Sequence, residues 1–179
     1  MTDKKSKTRE RILAVARQQL FCRGPAEPSV SEVMGAAGLT VGGFYSHFAS
    51  KDELMLEAFT QLLVGRRGLL AQLPSELAGR ARRVQMARFY LSRSHRDSQE
   101  EGCPLPSSLA EFARLPDAFR QQLERHIELL VTELTDAPLE RDKVLADLAL
   151  MVGGLTLARA LGPGELSDQL LKAAAAAII

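Results

Sequence analysis

The stretch from Ser29 to Phe48 must hold two helices and a chain reversal within twenty residues. Ser29-Val30-Ser31-Glu32 reads as a capping box. In such a box the serine hydroxyl accepts from an orphan N–H of the first turn, and the glutamate reaches back to the cap. Val30, Val33, Met34 and Ala37 follow at helical spacing, and Gly38 stands where a glycine closes a helix. Only Leu39 separates Gly38 from Thr40, an N-cap residue for a third short helix through Val41, Phe44, Tyr45 and Phe48. Gly38 permits a positive φ where the chain turns back.

Helical patterns extend on both sides. Ile12, Leu13, Val15, Ala16, Leu20 and Phe21 keep helical spacing between Thr8 and Cys22, and Arg23-Gly24-Pro25 ends that run. Ser50-Lys51-Asp52-Glu53 is a second capping box, opening a long helix that fades near Leu73-Pro74. Further helices are expected through Leu77–Leu91, in a short segment from Ser107 to Leu115, through Phe119–Leu134, and over 139–161 and 165–177. Breaks fall at 99–106, at Ala137-Pro138 and at Gly162-Pro163-Gly164. No strand-like alternation and no internal repeat occur. The 29 Leu and 24 Ala against 9 Val and 4 Ile agree with an all-α chain of about nine helices.

The formal charge of +1 rules out a uniformly basic coat but hides an asymmetry. Residues 4–23 carry Lys4, Lys5, Lys7, Arg9, Arg11, Arg17 and Arg23 against Glu10 alone, whereas residues 95–147 carry twelve acids and six bases. Such a split suits an N-terminal part that meets a polyanion, or a solvated basic helix start. Three helices with a glycine turn between the second and third have helix-turn-helix spacing. The second helix of that motif crosses the DNA backbone, and the third enters the major groove, which admits one α-helix.

The residues Thr8-Arg9-Glu10-Arg11-Ile12-Leu13, Phe21, Gly24, Ser31-Glu32-Val33, Ala36-Ala37-Gly38-Leu39-Thr40-Val41, Gly43-Phe44-Tyr45-Ser46-His47-Phe48 and Ser50-Lys51-Asp52-Glu53-Leu54 together resemble the TetR family of bacterial transcriptional repressors. The match covers about the first 60 residues; beyond them only helical layout and length agree. The resemblance implies a helix-turn-helix domain at 1–50 and a helical effector-binding and dimerisation domain at 51–179. It also implies a homodimer, a palindromic double-stranded DNA operator and a small-molecule effector that releases it.

Chemistry assigns roles beside the resemblance. Thr40–Phe48 holds no Lys or Arg, so the commonest guanine contact is absent and reading falls to hydroxyls, imidazole and methyl contacts. Val41 suits a thymine methyl. Gly42 and Gly43 weaken the helix by about 1 kcal/mol each relative to Ala and admit close approach to DNA. Tyr45 and His47 are phosphate or base contacts by the resemblance; for Tyr45 the alternative is a core aromatic. Ser46 shares the same segment, while Phe44 and Phe48 are expected in the core. Ser29, Ser31, Thr40 and Lys51 stand at helix starts, where hydroxyls, N–H groups and lysines serve phosphates. The alternative for Lys51 is solvation. Lys4, Lys5 and Lys7 form either a flexible DNA-contacting arm or a solubilising tail.

The later half gives weaker signals. Candidate effector-pocket walls are Phe59, Met86, Phe89, Tyr90, Phe112 and Phe119, which read as plain core before they read as pocket, and His126, a helix-surface or pocket residue. Leu148, Met151, Val152, Gly153, Leu155 and Leu170 suit a four-helix dimer interface or an internal core helix. Cys103 precedes a short helix, where a thiol pKa falls, although Glu100 and Glu101 oppose this. Electrophile- and redox-sensing branches of the family carry a Gly-Cys pair near this point. Here Pro104 and Pro106 depart from their pattern, leaving either a reactive thiol or a buried structural one that lines the effector pocket. Cys22 is expected in the core. With two cysteines there is no disulfide framework, and no signal peptide or run approaching the ~20 apolar residues of a membrane span is seen, so a cytoplasmic protein is expected. No cofactor and no metal are implied, since His95 and His126 lack ligand spacing. An all-α enzyme is the competing class, without any Ser/His/acid grouping to support it.

Overall fold

A computed structural model describes residues 2–98, 102–137 and 140–178. The described residues are helical throughout their regular structure, as expected. The chain divides into two compact units, the first from 1–65 with 103–122, the second from 66–102 with 123–179. This division by packing is cut differently from a functional division at 50/51, because the segment after Cys103 returns to the N-terminal helices.

The first unit holds α1 (Thr2–Arg23), α2 (Val30–Ala36), a 3₁₀ segment (Val41–Ser46), most of α3 (Lys51–Leu70), α6 (Leu105–Ser108), a second 3₁₀ segment (Leu109–Arg114) and the first turns of α7 (Asp117–Leu134). Ile12, Leu13, Ala16, Leu20, Val33, Met34, Phe44, Phe48, Leu54, Met55, Ala58, Phe59 and Leu63 form its core. Burial of each large apolar side chain contributes roughly 1.5–3 kcal/mol. Phe59, Phe112 and Phe119 complete it as an aromatic trio with centroids 5.4–6.2 Å apart. Lys4, Lys5 and Lys7 are not an unstructured arm: they are exposed residues of α1. Cys22 is also corrected, lying on the exposed side of α1.

Gly24, at φ +80°, closes α1 in the left-handed region. A β-carbon there would lie 2.6 Å from the Ser107 carbonyl oxygen and 2.6 Å from Glu111 Oε2. The same Glu111 oxygen accepts from Ala26 N–H at 2.9 Å, and Ser107 Oγ donates to the Leu20 carbonyl at 3.3 Å. Segment 105–114 is thereby bonded to the end of α1 and the loop after it.

The second unit holds the last residues of α3, then α4 (Gly79–Tyr90), α5 (Arg93–Asp97), most of α7, α8 (Arg141–Leu161) and α9 (Glu165–Ile178). Ala87, Tyr90, Leu91, Leu130, Val131, Leu134, Val144, Met151, Leu155, Ala158, Leu171, Ala174 and Ile178 are buried. Gly154 lets α8 approach α9 closely, since a β-carbon there would meet Ala174 Cβ at 3.1 Å. α8 is long and apolar enough to cross a membrane by length and composition, which the sequence reading did not expect. It carries the buried Asp147, and its Met151–Leu155–Ala158 face is interior, as in the core helix of a folded domain. Arg83 and Asp147 are both buried, with Nε to Oδ2 at 3.5 Å; Arg83 Nη1 also reaches Glu140 at 3.1 Å and the Leu134 carbonyl at 3.0 Å. Helix α5 was not expected; Ser92 caps it by accepting from His95 N–H at 3.2 Å. Pro138 and Leu139, and Glu100 and Glu101 beside Cys103, lie outside the described residues.

Candidate nucleic-acid interface

Local signals at 29–53 are realised almost as read. Ser29 Oγ accepts from Glu32 N–H at 3.1 Å while Glu32 Oε2 accepts from Ser29 N–H at 2.8 Å. These bonds, with Arg23 Nη1 at 3.0 Å, hold the Glu32 carboxyl down at about 2. Helix α2 ends with Leu39 N–H on the Met34 carbonyl and Gly38 N–H on the Gly35 carbonyl, each 2.9 Å, with Gly38 at φ +65°. That pair of bonds is a Schellman ending. At the second box Glu53 N–H donates to Ser50 Oγ at 3.1 Å, but the Glu53 carboxylate takes the Ala49 N–H instead of that of Ser50.

Two expectations are corrected in the third element. It is a 3₁₀ segment rather than an α-helix, and Thr40 sits at its N-cap without a side-chain capping bond. Two adjacent glycines in a six-residue element remove the propensity that would favour α-helical turns. No atom lies within 4 Å of a β-carbon built on Gly42, and only Met34 Cε, at 3.8 Å, approaches one on Gly43. The chain itself therefore gives no steric reason for glycine at either position.

The segment is anchored from beneath. Phe44 and Phe48 are buried and stacked at 5.8 Å, and Arg9 lies 4.5 Å over the Phe48 ring while forking onto Glu57 at 2.6 and 2.5 Å. With Phe44 and Phe48 turned inward, Tyr45 and Ser46 between them face out. Tyr45 is 72% exposed and touches the core only edge-on, through Phe44 at 5.2 Å. Val41 is 45% exposed, and Thr40, Gly42 and Ser46 are exposed beside it. Tyr45 is thus no core aromatic. Ser46 Oγ donates to the Gly43 carbonyl at 2.7 Å, leaving its lone pairs outward. His47 is half-buried, and its Nδ1 has no protein partner. Ser29 and Ser31 are exposed at the start of α2, and Lys51 Nζ bonds the Ala26 carbonyl.

Electrostatics narrow the basic end. Arg9 pairs with Glu57, Arg17 with Glu10 at 2.9 Å, and Arg23 with Glu27 and Glu32 at 3.0 Å each. Arginines in such pairs are largely neutralised for a distant polyanion. Lys4, Lys5, Lys7 and Arg11 are exposed on α1, so the cationic face is smaller than the sequence count suggests.

The expected pocket walls do not form one group. Phe59, Phe112, Phe119 and the buried Cys103 belong to the first unit; Met86, Phe89, Tyr90 and His126 belong to the second. Phe89 is 51% exposed, stacked on His95 at 5.8 Å, and is corrected from an internal wall. Tyr90 meets the same ring edge-on at 4.8 Å. Met86 is half-buried and His126 fully buried, so His126 is not a surface residue. Cys103 is buried ahead of a four-residue helix. Of the expected dimer residues, Leu148, Met151 and Leu155 are buried in their own chain, a correction. Val152 and Leu170 are half-buried and Gly153 is exposed. The outward apolar residues are Leu150, Leu157 and Leu161 on α8 and Leu166 on α9.

An inward-anchored segment with outward polar side chains behind a glycine turn has the arrangement of a helix-turn-helix. Residues 12–58 match the family model for "Bacterial regulatory proteins, tetR family". Solved structures share the fold along nearly the whole chain. NemR of E. coli in its reduced form is 21% identical, with a TM-score of 0.81 over 96% of this chain and 95% of that one. TetR-family regulators from Agrobacterium tumefaciens (16% identical, TM-score 0.78, 97% and 98% covered) and Chloroflexus aurantiacus (23%, 0.78, 98% and 94%) are alike. The family's signature is thus matched over 12–58, and these structures share the all-α fold.

Proposed function

We propose that the protein is a homodimeric repressor that grips a palindromic operator through 29–51 and lets go when a small molecule binds its helical part. The observation that carries this is Tyr45, a mostly exposed aromatic on a short segment locked from below by Phe44 and Phe48. Thr40, Val41, Gly42, Gly43, Ser46 and His47 supply the remaining base-side contacts, and Ser29, Ser31 and Lys51 the phosphate contacts. An operator selected from genomic fragments should bind about tenfold more weakly to Tyr45→Ala and to Lys51→Ala. Lys51→Ala should also flatten the salt dependence, by about two charges per dimer. Unchanged affinity in both variants would refute the assignment.

Dimerisation is assigned to Leu150, Leu157 and Leu161 of α8 with Leu166 of α9, whose apolar side chains face outward, beside the exposed Gly153. A carboxylate placed there would be desolvated against its symmetry mate. Leu157→Glu is expected to give a helical monomer in sedimentation and to abolish operator binding; a dimer retained in that variant would remove the assignment. Such a regulator works beside the chromosome, in the cytoplasm, and needs no cofactor.

A second reading is favoured by the place of Cys103. It opens the segment that packs in the same unit as the helix-turn-helix, so modification there acts directly on the DNA-binding unit. In this reading the Cys103 thiolate adds to the alkene of a maleimide, forming a carbon–sulfur bond, and the adjacent carbon takes a proton from water. N-ethylmaleimide should then release operator from the native protein but not from Cys103→Ser. Release that persists in the serine variant would eliminate it.

A further inference from the structure

Three arginines of the second unit show how its cations are matched. Arg83, 3% exposed, has Glu140 and Asp147; Arg96, 7% exposed, has Asp97 and Asp168; Arg82 has Glu133 at 3.0 Å. Buried charges are paired in this way because an uncompensated one loses its hydration without return. Arg67, half-buried near the end of α3, is matched differently. Among the described residues it makes no ion pair. Its protein hydrogen bond is to an uncharged group, with Nη1 lying 2.6 Å from His126 Nδ1.

That contact fixes the chemistry of both groups. A guanidinium can only donate, so Nδ1 must accept and the His126 proton sits on Nε2. The pair carries a net single positive charge. His126 is 3% exposed and lies one helical turn from the buried Leu130 on α7; Arg67 lies three residues before the buried Leu70 on α3. The result is a guanidinium aimed by a buried imidazole, set against apolar stripes of two helices, with N–H groups left for an acceptor. Planar guanidinium forks match carboxylates in two parallel bonds.

We infer that Arg67, held in place by His126, is the receptor for the carboxylate of an organic acid, and that the effector belongs to this class. The inference rests on the proposal that a small molecule releases the operator. Arg67 binds the anion, and His126 is a positioning residue that sets the plane of the fork.

The test uses the full-length protein with benzoate as the probe and benzamide as its uncharged counterpart, following the His126 ring nitrogens by NMR. Benzoate should shift these resonances saturably, and benzamide should not. Arg67→Gln should weaken benzoate binding at least about tenfold, the effect of losing a charged hydrogen bond, and Arg67→Lys should recover part of it. Operator affinity without probe should be the same in all three proteins. No shift with benzoate, equal binding of benzamide, or undiminished binding by Arg67→Gln would each overturn the inference. Operator release is read separately. Benzoate binding without release by any anion would keep the carboxylate site and refute its role in induction. Release by the neutral small molecules of a cell extract, with no benzoate binding, would keep induction and refute the carboxylate.

Discussion

Gly24→Ala is expected to lower stability by about 3 kcal/mol, more than the same change at the first unit's other left-handed glycine, Gly38. Two terms add. The residue holds φ +80°, which costs a side-chain-bearing residue roughly 1–2 kcal/mol. Its new carbon would also meet the Ser107 carbonyl at 2.6 Å, a backbone atom that moves only if segment 105–114 moves with it. Gly38 separates the terms, since it has φ +65° but no atom within 4 Å of its β-carbon. Gly38→Ala should therefore cost only about 1 kcal/mol. In a chain of this size the Gly24 variant should melt about 6–12 °C lower. Equal midpoints for the two variants would show that the contact with Ser107 contributes nothing.

Acid should weaken the second unit well above the usual carboxylate range. His95 and His126 both have their pKa lowered to about 4, first by burial. The positive charge of Arg67 adds to the lowering at His126. At His95 the bond from Nδ1 to the Tyr90 carbonyl, at 2.8 Å, opposes the shift, and Arg159 and Arg66 assist it. In the unfolded chain each imidazole takes up its proton near pH 6.5. Below that pH protons favour the unfolded state, so stability present above pH 6.5 is lost as pH falls toward 4. The loss is about 3 kcal/mol per histidine. Glu32 follows later, because its lowered pKa confines its contribution to the range from about 4.5 down to about 2. Urea unfolding at pH 7, 5.5 and 4.5 should show the decline, and His126→Gln should remove about half of its slope. A flat profile between pH 7 and 4.5 would refute buried neutral histidines.

What was legible in the sequence was local. Ser29 with Glu32, and Gly38 with its two neighbours, act within six residues, so composition at those positions dictates the bonds that form. The inward turn of Phe44 and Phe48 followed from spacing. What failed was the choice of face on an element apolar all round. In α8, Leu148, Met151 and Leu155 face in while Leu150, Leu157 and Leu161 face out, and periodicity cannot select between two apolar stripes. Pairings across the chain were also invisible. Glu57 neutralises Arg9 and Glu111 holds Ala26, partners 48 and 85 residues apart. The third element misled for a different reason: Gly42 and Gly43 fit an α-helix on spacing but leave it too weak to form in six residues.

The unit that holds the helix-turn-helix is not a stretch of chain but two stretches, 1–65 and 103–122. Its aromatic trio needs Phe112 and Phe119, and the end of α1 is held by Ser107 and Glu111. During synthesis these partners emerge only after residues 66–102, so the nascent N-terminal helices wait with their apolar face uncovered until that loop closes. Closure of a loop this long is an entropic toll taken before any contact repays it. A protein severed after residue 50 would carry every side chain proposed to read bases and lack the floor they stand on.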